Sequence, residues 1–186
     1  MTRITHILGG LVVTAACIEI TKNFPPAFVL PSLAAGTVGS VLPDIDLIMG
    51  DARKDSIFRH RGFVHTPFFL VILLFLIVYL ENRYYVYGSS FLFYSNLFFT
   101  LGFLSHLFLD SLNEIGMMWF FPFSKRKYSL QLMRSGSLKE YGFVALPLLL
   151  VLFVLFLPLY RSLYVFDSIF HSKYVLYNFL HRGYSR

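Results

Sequence analysis

Five stretches of this chain that are long enough to matter contain no aspartate, glutamate, lysine or arginine: Ile4 to Ile18, Asn23 to Pro43, Gly62 to Leu80, Tyr84 to Leu109 and Tyr141 to Tyr160. A helix crosses the hydrocarbon core of a bilayer with about 20 apolar residues, within a range of about 17 to 25. The last four stretches meet that length. The first is short, and a signal peptide is its competing reading. Its basic start is only Arg3, His6 interrupts the run, and no small-x-small cleavage site precedes a soluble domain, so a retained first helix is expected. The sequence therefore predicts an all-α, polytopic membrane helix bundle with about five transmembrane helices. Composition agrees, since 56% of residues are hydrophobic and 14% charged, where a soluble domain carries roughly 25% charged residues.

Within this frame, residues 1–160 form a single integral-membrane domain, and 161–186 an aromatic and basic C-terminal tail, interfacial or poorly ordered. The second stretch carries Pro25, Pro26 and Pro31, then Ala34-Ala35-Gly36-Thr37-Val38-Gly39-Ser40. It is expected to begin its helix at the prolines and to meet another backbone through its small residues. The single cysteine, Cys17, excludes an intramolecular disulfide and reads as a packing residue. The 12 tyrosines, Tyr84, Tyr85 and Tyr87 among them, fit an interfacial belt better than a platform for bases, and no nucleic-acid partner is expected.

In a five-span arrangement one side collects Arg3, Arg53, Lys54, Arg59, Arg61, Lys125, Arg126, Lys127, Arg134 and Lys139. The opposite loops hold Lys22 and Arg83, with four more basic residues in the tail. The positive-inside rule makes the first side cytoplasmic. His6, Asp44, Asp46, His60, His65, His106, Asp110 and Glu140 fall on that same side, although they are scattered through the sequence. His171 and His181, in the tail, read as solvated surface.

His106 and Asp110 are an i, i+4 pair and project together from a helix, with Asn113 a further turn along. Ionisable residues at the end of so long an apolar run are costly to bury and mark a functional site by default; a His–Asp bond that joins helices is the structural alternative. In Pro43-Asp44-Ile45-Asp46 an extended backbone would turn both carboxylates to one side, towards a shared cation. Arg59-His60-Arg61-Gly62-Phe63-Val64-His65 adds two imidazoles just before a span. Imidazole and carboxylate together suit zinc and related divalent ions. No P-loop, G-x-G-x-x-G, C-x-x-C or H-E-x-x-H pattern occurs, which argues against a nucleotide-driven pump or a zinc peptidase.

These motifs, taken in order, resemble the YdjM-like inner-membrane proteins described as metal-dependent hydrolases. The resemblance runs through Thr5-His6 with Gly9 or Gly10, Gly39-Ser40-Val41-Leu42-Pro43-Asp44-Ile45-Asp46, His60-Arg61-Gly62 with His65, Ser105-His106 with Asp110, and Arg134-Ser135-Gly136-Ser137 with Glu140. Val64 stands where threonine is expected and Thr66 where serine is common; neither change removes a ligand. A more distant likeness is to zinc-dependent phospholipase C enzymes. It implies one metal site from Asp44 or Asp46, His65, His106 and Asp110, with His6 and Glu140 able to support further ions. Those enzymes have histidines between the positions matching Asp110 and Glu140, whereas this chain has none, so one or two ions, zinc above all, are expected.

The function so implied is hydrolysis of a phosphoester or lipid head group at the cytoplasmic face of the inner membrane. Asp46 or Glu140 would act as general base, His60 would hold the leaving group or act as general acid, and Arg61 and Arg134 would clamp phosphate. Membrane lipids are the expected partners, with a lipid or lipid phosphate as substrate. Two other readings stay open: a non-catalytic, membrane-bound regulatory or interaction protein with a structural metal or polar cluster, and a transporter whose polar residues form a relay. Position argues against transport, because the candidates gather at one face.

Overall fold

Proline and hydroxyl residues at the edges of the apolar runs mark where the second, third and fifth spans start. The computed structural model describes residues 1–21, 23–47, 62–84 and 89–159, apart from the side chains at 46, 47 and 89. His60, Arg61 and the tail from Arg161 lie outside these residues. Among the described residues five helices are long and apolar enough to cross a membrane, and the architecture is all-α. They are α1 (Arg3–Ile20), α2 (Val29–Val41), α3 (Pro67–Tyr84), α4 (Ser89–Ser111) and α5 (Leu138–Leu159).

Short 3₁₀ turns at Pro26–Phe28 and Leu42–Leu47 lengthen the α2 span at both ends, so the span does begin at the paired prolines. The third span starts later than the charge-free run suggests. Gly62 lies before a 3₁₀ turn at Phe63–His65, and Thr66 Oγ1 then accepts the Phe69 amide at 3.1 Å. A hydroxyl at the cap with Pro67 at the first helical position is a strong helix start. The helix continues past Leu80 to Tyr84, where Glu81 accepts a hydrogen bond from Asn96 Nδ2 of α4 at 2.9 Å. A π turn at Tyr141–Ala145 interrupts α5 just after its first turn.

α1, α2 and α4 form the centre of the bundle, whereas α3 buries only Leu70 and α5 leaves most of its length to lipid. The central helices approach to backbone contact. A Cβ on Gly102 would lie 2.0 Å from the Gly36 carbonyl oxygen, and one on Gly39 would lie 2.1 Å from that of Phe99. On the third side, a Cβ on Gly10 would meet Ser40 and the Gly36 carbonyl at 2.6 and 2.8 Å. Small residues permit this approach, and in lipid the gain comes from packing and not from water release. The small-residue face anticipated for the second span is thus the seam of the bundle.

Apolar layers flank that seam. Ala15, Ile18, Val29, Phe98 and Leu159 pack at one end; Leu70, Phe103, Leu107 and Met117 pack towards the other. The segment from Leu112 to Ser137 folds back under this second end. Its backbone pairs Met117 with Tyr128 and Asn113 with Met133, and Trp119 Nε1 donates to Ser111 Oγ at 2.8 Å.

Gly102→Ala should lower the stability of the protein by about 1–3 kcal/mol, the usual cost of forcing volume into a packed contact. Thermal unfolding in mild detergent reads this. Gly142→Ala, where a Cβ meets nothing within 4 Å, should leave the midpoint unchanged. Equal midpoints for both variants would show that the seam is not the tight contact described.

Candidate metal centre

One helical turn beyond the glycine seam, the side chains change from small to ionisable. Gly10, Gly36 and Gly102 meet at the seam; four residues away along each helix, towards the same end of the bundle, lie His6, Ser40 and His106. A further turn on, at Asp44 and Asp110, the carboxylates appear. The 3₁₀ turn at Phe63–His65 brings in His65 from the side. Elements far apart in sequence thereby deliver three imidazoles and two carboxylates to one place.

The geometry is tight. The rings of His6 and His106 stack with centroids 3.7 Å apart and planes 18° from parallel, and His65 lies 5.1 Å from His106, centroid to centroid. His6 Nε2 is 3.3 Å from Asp110 Oδ1, and His65 Nε2 is 3.5 Å from Asp44 Oδ1. His106 Nε2 lies between the two carboxylates, 3.9 Å from Asp44 Oδ1 and 3.7 Å from Asp110 Oδ2. The Met1 nitrogen also contacts Asp110 Oδ1. His6, His65 and His106 are fully buried, Asp110 is 1% exposed and Asp44 5% exposed. Burying two carboxylates in an apolar bundle is expensive unless charge and hydrogen bonds compensate.

The donor atoms fit a divalent cation. A tetrahedral zinc bound at about 2.0–2.1 Å sets its ligand atoms about 3.4 Å apart, close to the separations found here. His6–Asp44–His106 and His65–His106–Asp110 each offer ligand atoms within 4.8 Å of one another. Neither ring nitrogen of His6, nor Nε2 of His106, has a hydrogen-bonding partner among the described residues. Buried polar atoms are rarely left in that state. His106 Nδ1 is different, lying 2.8 Å from the Ser40 carbonyl oxygen. A backbone carbonyl on one nitrogen orients the ring and leaves the other free to bind metal.

The five metal-ligand candidates named from the sequence, His6, Asp44, His65, His106 and Asp110, therefore converge. Other expectations need correction. Leu42–Leu47 is a 3₁₀ turn and not an extended strand; with three residues per turn, i and i+2 do not share a face, so the argument for Asp44 and Asp46 as a same-side pair fails. α4 ends at Ser111, and Asn113, instead of continuing the His106–Asp110 face, directs its amide to Ser135. The side chain of Asp46, and both His60 and Arg61, lie outside the described residues. Arg134 is exposed, on the turn closed by the Ser137 amide donating to its carbonyl at 3.1 Å.

Glu140 has a definite environment. Its Oε1 accepts from Thr2 N (2.7 Å), Thr2 Oγ1 (3.0 Å) and Thr5 Oγ1 (2.7 Å), and its Oε2 accepts from Gly136 N (2.7 Å). The carboxylate thus ties the start of α1 to the start of α5, and a negative charge at a helix N-terminus is favourable. Thr5 precedes His6, so this tether also sets the position of a candidate ligand. Sequence reasoning missed the tether, although Ser137-x-x-Glu140 is a capping-box pattern, and Glu140 N does donate to Ser137 Oγ at 3.3 Å. The Ser40 carbonyl was also missed, and no side-chain pattern can reveal a backbone acceptor.

The fold and the cluster together define a multi-pass membrane helix bundle with a buried His/Asp group able to hold a metal ion. The chain belongs to the YdjM inner membrane protein family, whose description matches residues 1–168. It is 30% identical over 185 residues to the uncharacterized protein YvsG of Bacillus subtilis (strain 168), covering 93% of this chain and 99% of the relative. It is also 33% identical over 135 residues to the inner membrane protein YbcI of Escherichia coli (strain K12), covering 68% of this chain and 70% of the relative. No solved structure matches the chain.

Glu140→Ala strands the donors of Thr2, Thr5 and Gly136 and should cost about 1–3 kcal/mol or more. Hydrogen exchange should speed up at the Thr2 and Gly136 amides, with a lower thermal midpoint. Unchanged exchange at both amides would contradict the tether.

Proposed function

We propose that the cluster binds one divalent ion of the zinc type and that the protein is a membrane-embedded hydrolase acting on a phosphoester or lipid head group at the cytoplasmic interface. The observation that carries this reading is the pair of buried imidazole nitrogens, His6 Nε2 and His106 Nε2, without hydrogen bonds among the described residues, facing two carboxylates at the spacing of a coordination sphere. His6, Asp44, His65, His106 and Asp110 would hold the ion. His106 has its Nδ1 committed to Ser40 and only Nε2 to give, so one ion accounts for both triads that use it. Bound there, the ion supplies Lewis acidity, polarising a phosphoryl oxygen and making a water acidic enough to deprotonate near neutral pH.

The remaining roles belong to the chain. Asp46 is assigned as acceptor of the water's proton and His60 as the group at the leaving oxygen. Arg61 and Arg134 pair with phosphate oxygens, which a guanidinium does two at a time. Glu140, its carboxylate already filled by four donors, is assigned to holding α1 and His6 in place instead of to proton transfer. The basic residues on the cluster's side of the bundle support a cytoplasmic orientation.

A second reading has one observation in its favour. Four of the five cluster residues are at most 1% exposed, as in a closed structural site; a catalytic ion keeps a position open. The protein would then be a regulatory or interaction partner stabilised by its ion.

Purified protein should contain about one zinc or similar ion per chain by elemental analysis and should hydrolyse dioctanoyl phosphatidic acid or bis(p-nitrophenyl) phosphate. His106→Ala and Asp110→Ala should each lose the ion and at least about a hundredfold of the rate. Chelation should abolish turnover and added ion restore it. A metal-loaded protein that unfolds on chelation and turns over no phosphoester would establish the structural reading.

A further inference from the structure

A groove of about 340 Å³ opens beside the cluster, between the first turn of α1 and the last turns of the second span. Its walls are Arg3, Thr37, Val38, Val41, Leu42, Asp44 and Ile45. Thr37 spends its hydroxyl on the Leu33 carbonyl at 2.8 Å, so Arg3 and Asp44 are the polar groups left to face an occupant. Asp44 is also the most exposed of the five cluster residues, and through it the groove reaches the candidate metal centre. Arg3 is exposed and makes no ion pair or hydrogen bond among the described residues. Val38 and Ile45, 55% and 41% exposed, line the open, lipid-facing side.

We propose that this groove binds an anionic lipid carrying a terminal phosphate, with Arg3 on the phosphate and an acyl chain along Val38, Val41, Leu42 and Ile45. The assignment rests on the hydrolase reading for its placement beside the cluster; the charge and shape of the groove are independent of it. A guanidinium matches two oxygens of a phosphate, and its pairing at the edge of an apolar wall suits a molecule that is anionic at one end and hydrocarbon at the other. A free phosphate would leave the wall uncovered, and a neutral diacylglycerol would leave Arg3 unpaired. Entry is lateral, from the bilayer, because the apolar wall faces lipid. Arg3 thereby joins Arg61 and Arg134 as a phosphate-binding residue, and it is the one whose position beside Asp44 is given by the fold.

Native mass spectrometry of the full chain in detergent, kept on ice and read directly after mixing so that turnover is negligible, tests this with three probes: dioctanoyl phosphatidic acid, dioctanoylglycerol and inorganic phosphate. One dioctanoyl phosphatidic acid should bind at least about tenfold more tightly than dioctanoylglycerol. Arg3→Gln should erase that preference and Arg3→Lys should retain part of it. Val38→Trp, which fills the groove from its exposed side, should weaken both lipids without lowering the thermal midpoint. An Arg3→Gln protein with the wild-type preference would overturn the proposal, as would inorganic phosphate displacing the lipid at equal concentration. Failure of the hydrolase reading looks different: no turnover, whether or not an ion is bound, with the Arg3-dependent preference intact. Ion-dependent turnover indifferent to Arg3→Gln would keep the hydrolase and discard the groove.

Discussion

The backbone contact between α2 and α4 at Gly36 and Gly102 sets the geometry on which the rest depends. Because a Cβ on Gly102 would stand 2.0 Å from the Gly36 carbonyl, the two helices meet backbone to backbone there. One turn further, that closeness brings the Ser40 carbonyl within 2.8 Å of His106 Nδ1. α1 joins the same junction at Gly10, and one turn on its His6 ring stacks on His106. Small residues thus hold the helices together and aim the imidazoles at each other. A bulkier seam would spread the ligand atoms beyond the reach of one ion.

The cost of the arrangement lies in its burial. Two carboxylates and three imidazoles occupy the end of an apolar bundle with almost no solvent access. Side chains of this kind persist inside a membrane protein when they are paired or when they bind something. The carboxylate–imidazole contacts supply part of the compensation, and His6 and His106 keep nitrogens to spare among the described residues. A divalent cation completes the balance of charge and fills those lone pairs together. Glu140 shows the contrasting case: its carboxylate is satisfied by four donors from three residues and has no comparable need of a metal.

Much of this was legible in the sequence, for reasons that differ by feature. The spans could be read because charge is excluded from hydrocarbon, and the five ligand candidates because ionisable residues at span ends stand out. His106 and Asp110 were paired by helical periodicity alone. What failed were inferences about local backbone state: the turn at Asp44 proved 3₁₀, and the helix ended at Ser111 before reaching Asn113. The third span began at Pro67 because Thr66 caps it, a local signal that outranks the reach of the charge-free run. Hidden altogether were contacts with backbone atoms, the Ser40 carbonyl and the Thr2 and Gly136 amides, since every residue carries those groups. The groove at Arg3 was equally out of reach, for its walls come from two helices that only the fold brings together.

The central claim is that the convergent histidines and aspartates bind a metal ion directly. X-ray absorption spectroscopy on zinc-loaded protein addresses it, since the fine structure reports the atoms bound to the ion. The account predicts a nearest shell of nitrogen and oxygen at about 2.0–2.2 Å, with the outer scattering that imidazole rings produce, and loss of that signal in His106→Ala. A zinc surrounded by water oxygens alone, or an imidazole signal unchanged by His106→Ala, would contradict it.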